Sequence, residues 1–339
     1  MVTITGDHLF CRSDVMTKNF DIVSIGELLV DMTPASTDKS MVFEANPGGA
    51  PCNVLAMAAK LGAHCAFIGK VGADAFGNML ITTLERLGIE TAGIVRDGSV
   101  PTTLAIIAFD ENNERSFSFY RNPGADQMLR SDEVDTDIVK NCKILHFGTM
   151  SLTEGDSRGA TMHVVETAKA NGSIISFDPN IRTFLWQDEE MLRKMLNYGL
   201  SNCTILKMSE DEAIYQSGIC DPEAAMEAIL KKYPNISVGF LTLGEKGSMV
   251  FGGGGKVRVD AVPQKSVVDT TGAGDAFYGV CLYYIAKCSI SDLTMEQLAF
   301  IAERANAAGS IVTGRYGSMR IMPEKIEIEE TIGTQRKSE

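Results

Sequence analysis

No stretch of the 339-residue chain approaches the ~18 consecutive apolar residues that a bilayer-spanning helix needs. Lysines and arginines never cluster, and the net charge is −13. Such a surface repels nucleic acid and anionic membranes, so neither is expected as a partner. The eight cysteines (Cys11, Cys52, Cys65, Cys142, Cys203, Cys220, Cys281, Cys288) form no C-x-x-C pair, which leaves zinc and dithiol motifs unsupported. Most lie among apolar neighbours, as reduced thiols do in the core of a cytoplasmic protein. The four histidines, His8, His64, His146 and His163, have no ligand spacing and are read as structural. A basic start followed by an apolar block is missing from residues 1–19, so they are expected to be a leader or an extra strand rather than a signal peptide.

What is present is a regular alternation. Phe20–Ile25, Ala66–Val71, Ile144–Phe147, Ile174–Phe177, Thr204–Met208 and Val238–Leu243 read as strands. Between and after them come helical stretches. In Asn53–Leu61 the residues Val54, Met57, Ala58 and Leu61 share one face, and Gly62 follows as a C-terminal stop. Further helices are expected over Arg158–Ala170, Glu189–Leu200, two segments ending at Lys232, Asp275–Ala286 and Gln297–Val312. This order predicts an α/β fold with a mostly parallel sheet covered by helices. Two segments, about 32–46 and 102–121, break the alternation. In the second, Leu104–Phe109 and Ser116–Tyr120 flank the turn Asp110–Glu114, a hairpin pattern. They are assigned to a small β lid able to exclude water from a reactive phosphate. Its exposed strands can pair with a second copy, giving a homodimer.

Open α/β sheets bind ligands at the carboxyl ends of their strands. The most informative segment there is Asp269-Thr270-Thr271-Gly272-Ala273-Gly274-Asp275-Ala276-Phe277. Its glycines let backbone approach a ligand closely, and the helix behind them offers free N–H groups and a positive dipole end. That is an anion site, and a carboxylate at Asp275 can take a proton from an attacking hydroxyl or simply complement the dipole. No Lys-Ser/Thr follows the last glycine, so the segment is not a Walker A loop, and Phe277 occupies the third glycine's place in a Rossmann fingerprint. Pro47-Gly48-Gly49-Ala50-Pro51-Cys52-Asn53 is a second glycine turn before a helix, with Asn53 able to bind a ligand or cap the helix.

The nine residues from Asp269 to Phe277 resemble the C-terminal signature of the PfkB, or ribokinase-like, carbohydrate kinases. The Gly48-Gly49 turn with Asn53, the run Phe67–Asp74 and Gly26–Asp31 resemble its N-terminal half, and the resemblance spans Phe20–Pro323. It implies a kinase domain over 20–323, with 324–339 as a C-terminal tail. It implies Asp275 as catalytic base and Gly272, Ala273 and Gly274 as an anion hole. Asp31, Gly48, Gly49 and Asn53 are implied to bind sugar hydroxyls. Arg121 in Tyr-Arg-Asn-Pro and Arg182 in Asp-Pro-Asn-Ile-Arg look like fructokinase residues for an anionic substrate or the migrating phosphoryl group; Trp186 fits as well. Lys207, Ser209 and Glu212 resemble the Asn-x-x-Glu motif that places Mg²⁺ through water, with Ser209 where asparagine is usual. Thr242, Gly244 and Gly247 resemble the nucleotide loop, with Asn306 and Ser310 beside the adenine. Asp269 and Thr271 match a K⁺ site, which the loop Gly314–Met319 can complete. The implied reaction is ATP-dependent phosphorylation of a primary sugar hydroxyl, with D-fructose giving fructose 6-phosphate. The alternatives are 2-keto-3-deoxygluconate, a nucleoside, or a sugar-binding regulator without catalysis.

Overall fold

The computed structural model describes residues 18–35, 42–109, 115–264 and 266–338. The leader before residue 18 and the turn Asp110–Glu114 lie outside the described residues.

The strands of the main sheet are β1 (Phe20–Ile25), β4 (Cys65–Gly72), β5 (Ile94–Asp97), β8 (Cys142–Phe147), β9 (Ile174–Phe177), β10 (Ile205–Ser209), β11 (Val238–Thr242), β12 (Ser248–Gly252) and β13 (Gly255–Val259). Their order is β13-β12-β11-β10-β9-β8-β1-β4-β5. All neighbours run parallel except at one edge, where β11, β12 and β13 form an antiparallel meander. Alternate residues of each parallel strand enter different cores. Ile22, Ile144, Ile205 and Phe240 join one cluster; Val23, Leu145, Leu206 and Leu241 join the other. A strand buried on both faces needs helices on both sides, which explains its unbroken apolar runs.

One face carries α1 (Ala50–Lys60), α2 (Ala75–Arg86), α8 (Ala273–Ile285) and α9 (Met295–Thr313). The other carries α3 (Thr136–Lys140), α4 (Asp156–Ala170), α5 (Glu189–Asn202), α6 (Glu210–Ser217) and α7 (Pro222–Lys232). The segment expected as a C-terminal tail forms helix α10 (Lys325–Ser338), with Ile328 and Ile332 buried in the first core. It is anchored by a two-toothed ion pair from Arg304 of α9 to Glu329 at 2.8 Å.

The small sheet is separate. Strands β2 (Leu29–Pro34), β3 (Phe43–Gly48), β6 (Leu104–Phe109) and β7 (Arg115–Tyr120) pair in the order β3-β2-β6-β7. The chain leaves the main sheet at Ile25, builds β2 and β3, and returns at the start of α1. The lid is therefore joined directly to the carboxyl end of β1, where the strand order reverses and α/β folds open a crevice.

Both key helices begin two or three residues before the expected starts at Asn53 and Asp275. Gly49 caps α1 at φ +118°, and Pro51 in the first turn has its φ set for helix. Gly272 caps α8 at φ +78°. The consequence is that Asn53 and Asp275 sit inside first turns, facing each other. They can do so because α1 and α8 pack closely: a Cβ on Gly279 would come within 2.6 Å of Met57 Cβ and the Val54 carbonyl oxygen.

Candidate active site

A cavity of about 330 Å³ opens at the carboxyl ends of the parallel strands beneath the lid. The lid supplies Asp31, Ile107 and Phe119. Strand ends supply Glu27, His146, Asp178 and Lys207, and α1 supplies Asn53. The tip of α8 supplies Thr271, Gly272, Gly274 and Asp275.

Asp275 is 9% exposed, and its Oδ2 accepts a hydrogen bond from Asn53 Nδ2 at 2.7 Å across 222 residues of sequence. Burial raises its pKa above the ordinary aspartate value; the Asn53 bond and then the charges of Lys207 and Arg182 oppose that rise. One carboxyl oxygen is thus anchored and the other is left for a proton. Asn53 Oδ1 is buried with no donor. A buried acceptor without a donor in a cavity wall is suited to a ligand hydroxyl.

Asp31 stands on β2 across from Asn53. Burial pushes its pKa up to about 7; Arg182 opposes the shift, while Asp275 and Asp269 add to it. Gly48 is required here, since a Cβ at that position would overlap the Asp31 carboxylate. Gly49 is needed both for its positive φ and for the Glu27 carbonyl oxygen packed against it. On the far wall, Lys207 Nζ lies 2.9 Å from Asp178 Oδ2, and Gly274 is its neighbour on α8. Burial pushes Asp178 up to about 7 against the pull of Lys207. For Lys207 burial acts against the charge, but Asp178 and then Glu212 outweigh it, and its pKa is raised. Arg182 is exposed at the rim, its Nη1 donating to Asn180 Oδ1 at 2.7 Å. Asn180 is the one non-glycine residue with positive φ among the described residues, at φ +44°.

The cavity therefore gathers Asp31, Gly49, Asn53, Arg182, Lys207, Thr271, Gly272, Gly274 and Asp275. Arg121, expected to face the substrate, is buried, and one of its partners is the carbonyl of Met150, a residue of the cavity wall. Its guanidinium donates to Asp126 at 2.8 Å, to Thr153 Oγ1 at 3.0 Å and to the Met150 carbonyl at 3.1 Å. Asn306 is likewise committed, its amide donating to the carbonyls of Val259 at 3.0 Å and Asp260 at 3.1 Å. This fastens α9 to the end of β13. The Ser310 carbonyl accepts from Gln264 at 3.2 Å and from Thr313 Oγ1 at 2.7 Å.

Ser209 caps α6, and Glu212 completes a capping box. Glu212 Oε1 accepts from the Ile181 N–H at 2.8 Å and Oε2 from the Ser209 N–H at 2.9 Å. Both oxygens are fixed and each keeps a lone pair. No group of three His, Cys, Asp or Glu residues among the described residues is placed to hold a metal directly. The remaining lone pairs of the Glu212 carboxylate could accept from a metal-bound water. Thr242 ends β11, and Gly244 (φ +57°) and Gly247 (φ +90°) satisfy the turn that leads to β12. Asp269 Oδ1 accepts from the Thr271 N–H at 2.8 Å, shaping the loop that leads to Gly272. Ser318 Oγ donates to the Pro47 carbonyl at 2.8 Å, tying the loop after α9 to the Gly48-Gly49 turn.

Glu27 and His146 were missed as cavity residues. Glu27 Oε1 accepts from the Ala50 N–H at 3.0 Å, and burial pushes its pKa up to about 7. His146 is tied through Nδ1 to Ser176 Oγ at 3.1 Å, and burial, then Lys207, lower its pKa to about 3, so it is neutral. The available signal was position: each lies within two residues of the end of a predicted strand.

The chain is similar to known proteins over nearly its whole length. The family model described as pfkB family carbohydrate kinase matches residues 19–325. Fructokinase-1 of Zea mays is 36% identical over 318 residues, covering 92% of this chain and 97% of its own. Probable fructokinase-4 of Arabidopsis thaliana is 35% identical, covering 91% and 95%. The crystal structure of fructokinase with bound ATP from Xylella fastidiosa superposes with a TM-score of 0.84 at 30% identity, covering 94% of this chain and 99% of that one. Fructokinase from Vibrio cholerae O395 with fructose, ADP and calcium ion superposes with a TM-score of 0.83 at 28% identity, covering 93% and 99%.

Proposed function

This chain belongs to the pfkB family of carbohydrate kinases, and on that premise we propose that it transfers the γ-phosphoryl group of ATP to the primary hydroxyl of D-fructose, giving fructose 6-phosphate and ADP. The observation that carries the reading is the 2.7 Å bond between Asn53 and Asp275, which sets a buried carboxylate between polyol-binding groups and a glycine helix tip.

The steps follow from the positions. Asp31 and Asn53 accept sugar hydroxyls, the Asp31 bond being the stronger once its carboxyl is ionised. The free oxygen of Asp275 takes the proton as the hydroxyl oxygen bonds to the γ-phosphorus and the bond to the β-bridging oxygen breaks. The N–H groups from Gly272 to Gly274 face the charge that develops on the phosphoryl oxygens. Mg²⁺ bound with the triphosphate would be held through water by Glu212 and would supply further counter-charge, and K⁺ would be held by Asp269 and Thr271. Burial beneath the lid strengthens each of these interactions.

A neutral ketose is favoured over ketodeoxygluconate by one specific feature. The wall carries four carboxyl groups, Glu27, Asp31, Asp178 and Asp275, against Lys207 and Arg182, and Lys207 is paired with Asp178. Of the two cations that an acidic sugar would use, Arg121 and Arg182, Arg121 is sealed against Asp126. We further propose a cytoplasmic protein that dimerises through the free edges of β3 and β7, where Tyr120 is 64% exposed. No helix among the described residues is long and apolar enough to cross a membrane.

The test is ADP production with fructose, ribose, ketodeoxygluconate and adenosine, each with Mg-ATP. Fructose should give the highest kcat/KM by at least about tenfold. A preference for ketodeoxygluconate or adenosine would overturn the substrate; fructose binding without turnover would make the protein a sugar-binding regulator.

A further inference from the structure

The cavity contains a charged pair that the proton-transfer step leaves unused. Asp178 follows the end of β9 and Lys207 lies within the neighbouring β10, each two residues beyond the paired Ser176 and Ile205. Their side chains are 3% and 8% exposed, and Nζ lies 2.9 Å from Oδ2. A buried ion pair is a weak source of stability, because desolvation consumes most of its attraction. This one is also incomplete. Asp178 lines the cavity and its Oδ1 is buried without a donor, while Asp178 is the one acceptor of the Lys207 ammonium among the described residues. The ammonium rests against the tip of α8: a Cβ on Gly274 would lie 3.2 Å from Nζ.

Resting on the kinase reading above, we propose that Lys207 is a second catalytic residue, presenting its ammonium to the transferring phosphoryl group beside the α8 amides and keeping Asp275 ionised, with Asp178 as its positioning residue. The charged and polar groups facing Asp275 are Asn53 from α1, Lys207 from β10, Arg182 and Asp178 from the end of β9, Glu212 from α6 and Asp31 from the lid. Lys207 is the buried cation of that set. The step remains balanced: the sugar oxygen gains phosphorus, ADP leaves, the proton passes to Asp275, and Lys207 keeps its own protons throughout.

The sign of the effect is fixed. Asp275 works as a carboxylate, so activity falls as pH drops through its pKa. Removing the lysine charge raises that pKa, and removing the Asp178 charge lowers it. Lys207→Met should therefore move the acid limb of kcat/KM up by roughly one pH unit or more. It should also cut kcat on the plateau by about 10²–10³-fold. Lys207→Arg should restore the limb while recovering only part of kcat. Asp178→Asn should shift the limb the other way, a response that a purely structural pair would not give. The double variant Lys207→Met/Asp178→Asn removes both charges and guards against misfolding from an unpaired buried carboxylate. Carbon-13 NMR titration of the aspartate carboxyls, assigned with Asp275→Asn, reads the same coupling without turnover. An unmoved limb together with an unmoved Asp275 resonance in Lys207→Met would overturn the proposal. A wild-type protein that phosphorylates none of the sugars would instead overturn the kinase reading, and the NMR titration would still decide whether Lys207 governs Asp275.

Discussion

Replacing Asp275 by asparagine tests the chemistry with little disturbance to the fold. The side chain keeps its shape, and its carbonyl oxygen can still accept the Asn53 amide now held at 2.7 Å. The residue is 9% exposed, so substitution also removes a charge that burial disfavours. Sugar-free thermal stability at pH 8 should be equal to or above wild type. What is lost is the ability to take a proton. That contribution is about 10²–10⁴-fold in kcat, or roughly 2.7–5.4 kcal/mol of barrier. The KM for fructose should change far less, because the sugar contacts through Asp31 and Asn53 remain. The assay is steady-state ADP release with saturating fructose and Mg-ATP, with a sugar-free blank to remove background hydrolysis. Asp275→Ala serves as contrast, since it orphans the Asn53 amide as well and should lose stability. A kcat for Asp275→Asn within about threefold of wild type would refute Asp275 as the base.

Three further outcomes follow from the same geometry. Gly48→Ala places a methyl group on the Asp31 carboxylate and should raise the KM for fructose by about tenfold or more, with a smaller effect on KM for ATP, as read by initial rates. Arg121→Met breaks a buried ion pair with Asp126 and should cost about 3–5 kcal/mol in urea unfolding, the signature of a structural rather than a substrate-binding arginine. Asp31 has a folded pKa near 7, above its unfolded value of 3.8, so its contribution to stability is complete below the unfolded value and is lost as pH rises through 7. Asp31→Asn should therefore flatten the fall in sugar-free Tm between pH 5 and 8; an unchanged slope by differential scanning calorimetry would refute the assignment.

Much of this was legible locally. The alternation of strand and helix, the lid segments and the glycine helix tip with Asp275 depend on residues near one another in sequence. Elements that gave a weak local pattern were missed, among them β5, the β12–β13 hairpin and the helix α10. In α10 the evenly spread charges hide a face set by only two buried isoleucines, Ile328 and Ile332. The helix starts were misjudged for a related reason. Pro51 and Gly272 look like turn residues, yet they form the first turn of α1 and the cap of α8 because a helix N-terminus leaves its first N–H groups unpaired anyway.

The order of residues alone determined the parallel α/β layering and the glycine-capped tip of α8, because periodicity and backbone freedom are short-range properties. Tertiary structure decided which side chains were free to act. Arg121 and Asn306 had suitable chemistry but found partners in Asp126 and the β13 carbonyls. Glu27 and His146 entered the cavity because β1 and β8 lie side by side at the turning point of the sheet. Asn53 met Asp275 because Gly279 lets two helices approach closely. Hydrogen-bonding capacity is a limited resource shared among neighbours in space, and the sheet order that sets those neighbours involves residues hundreds of positions apart.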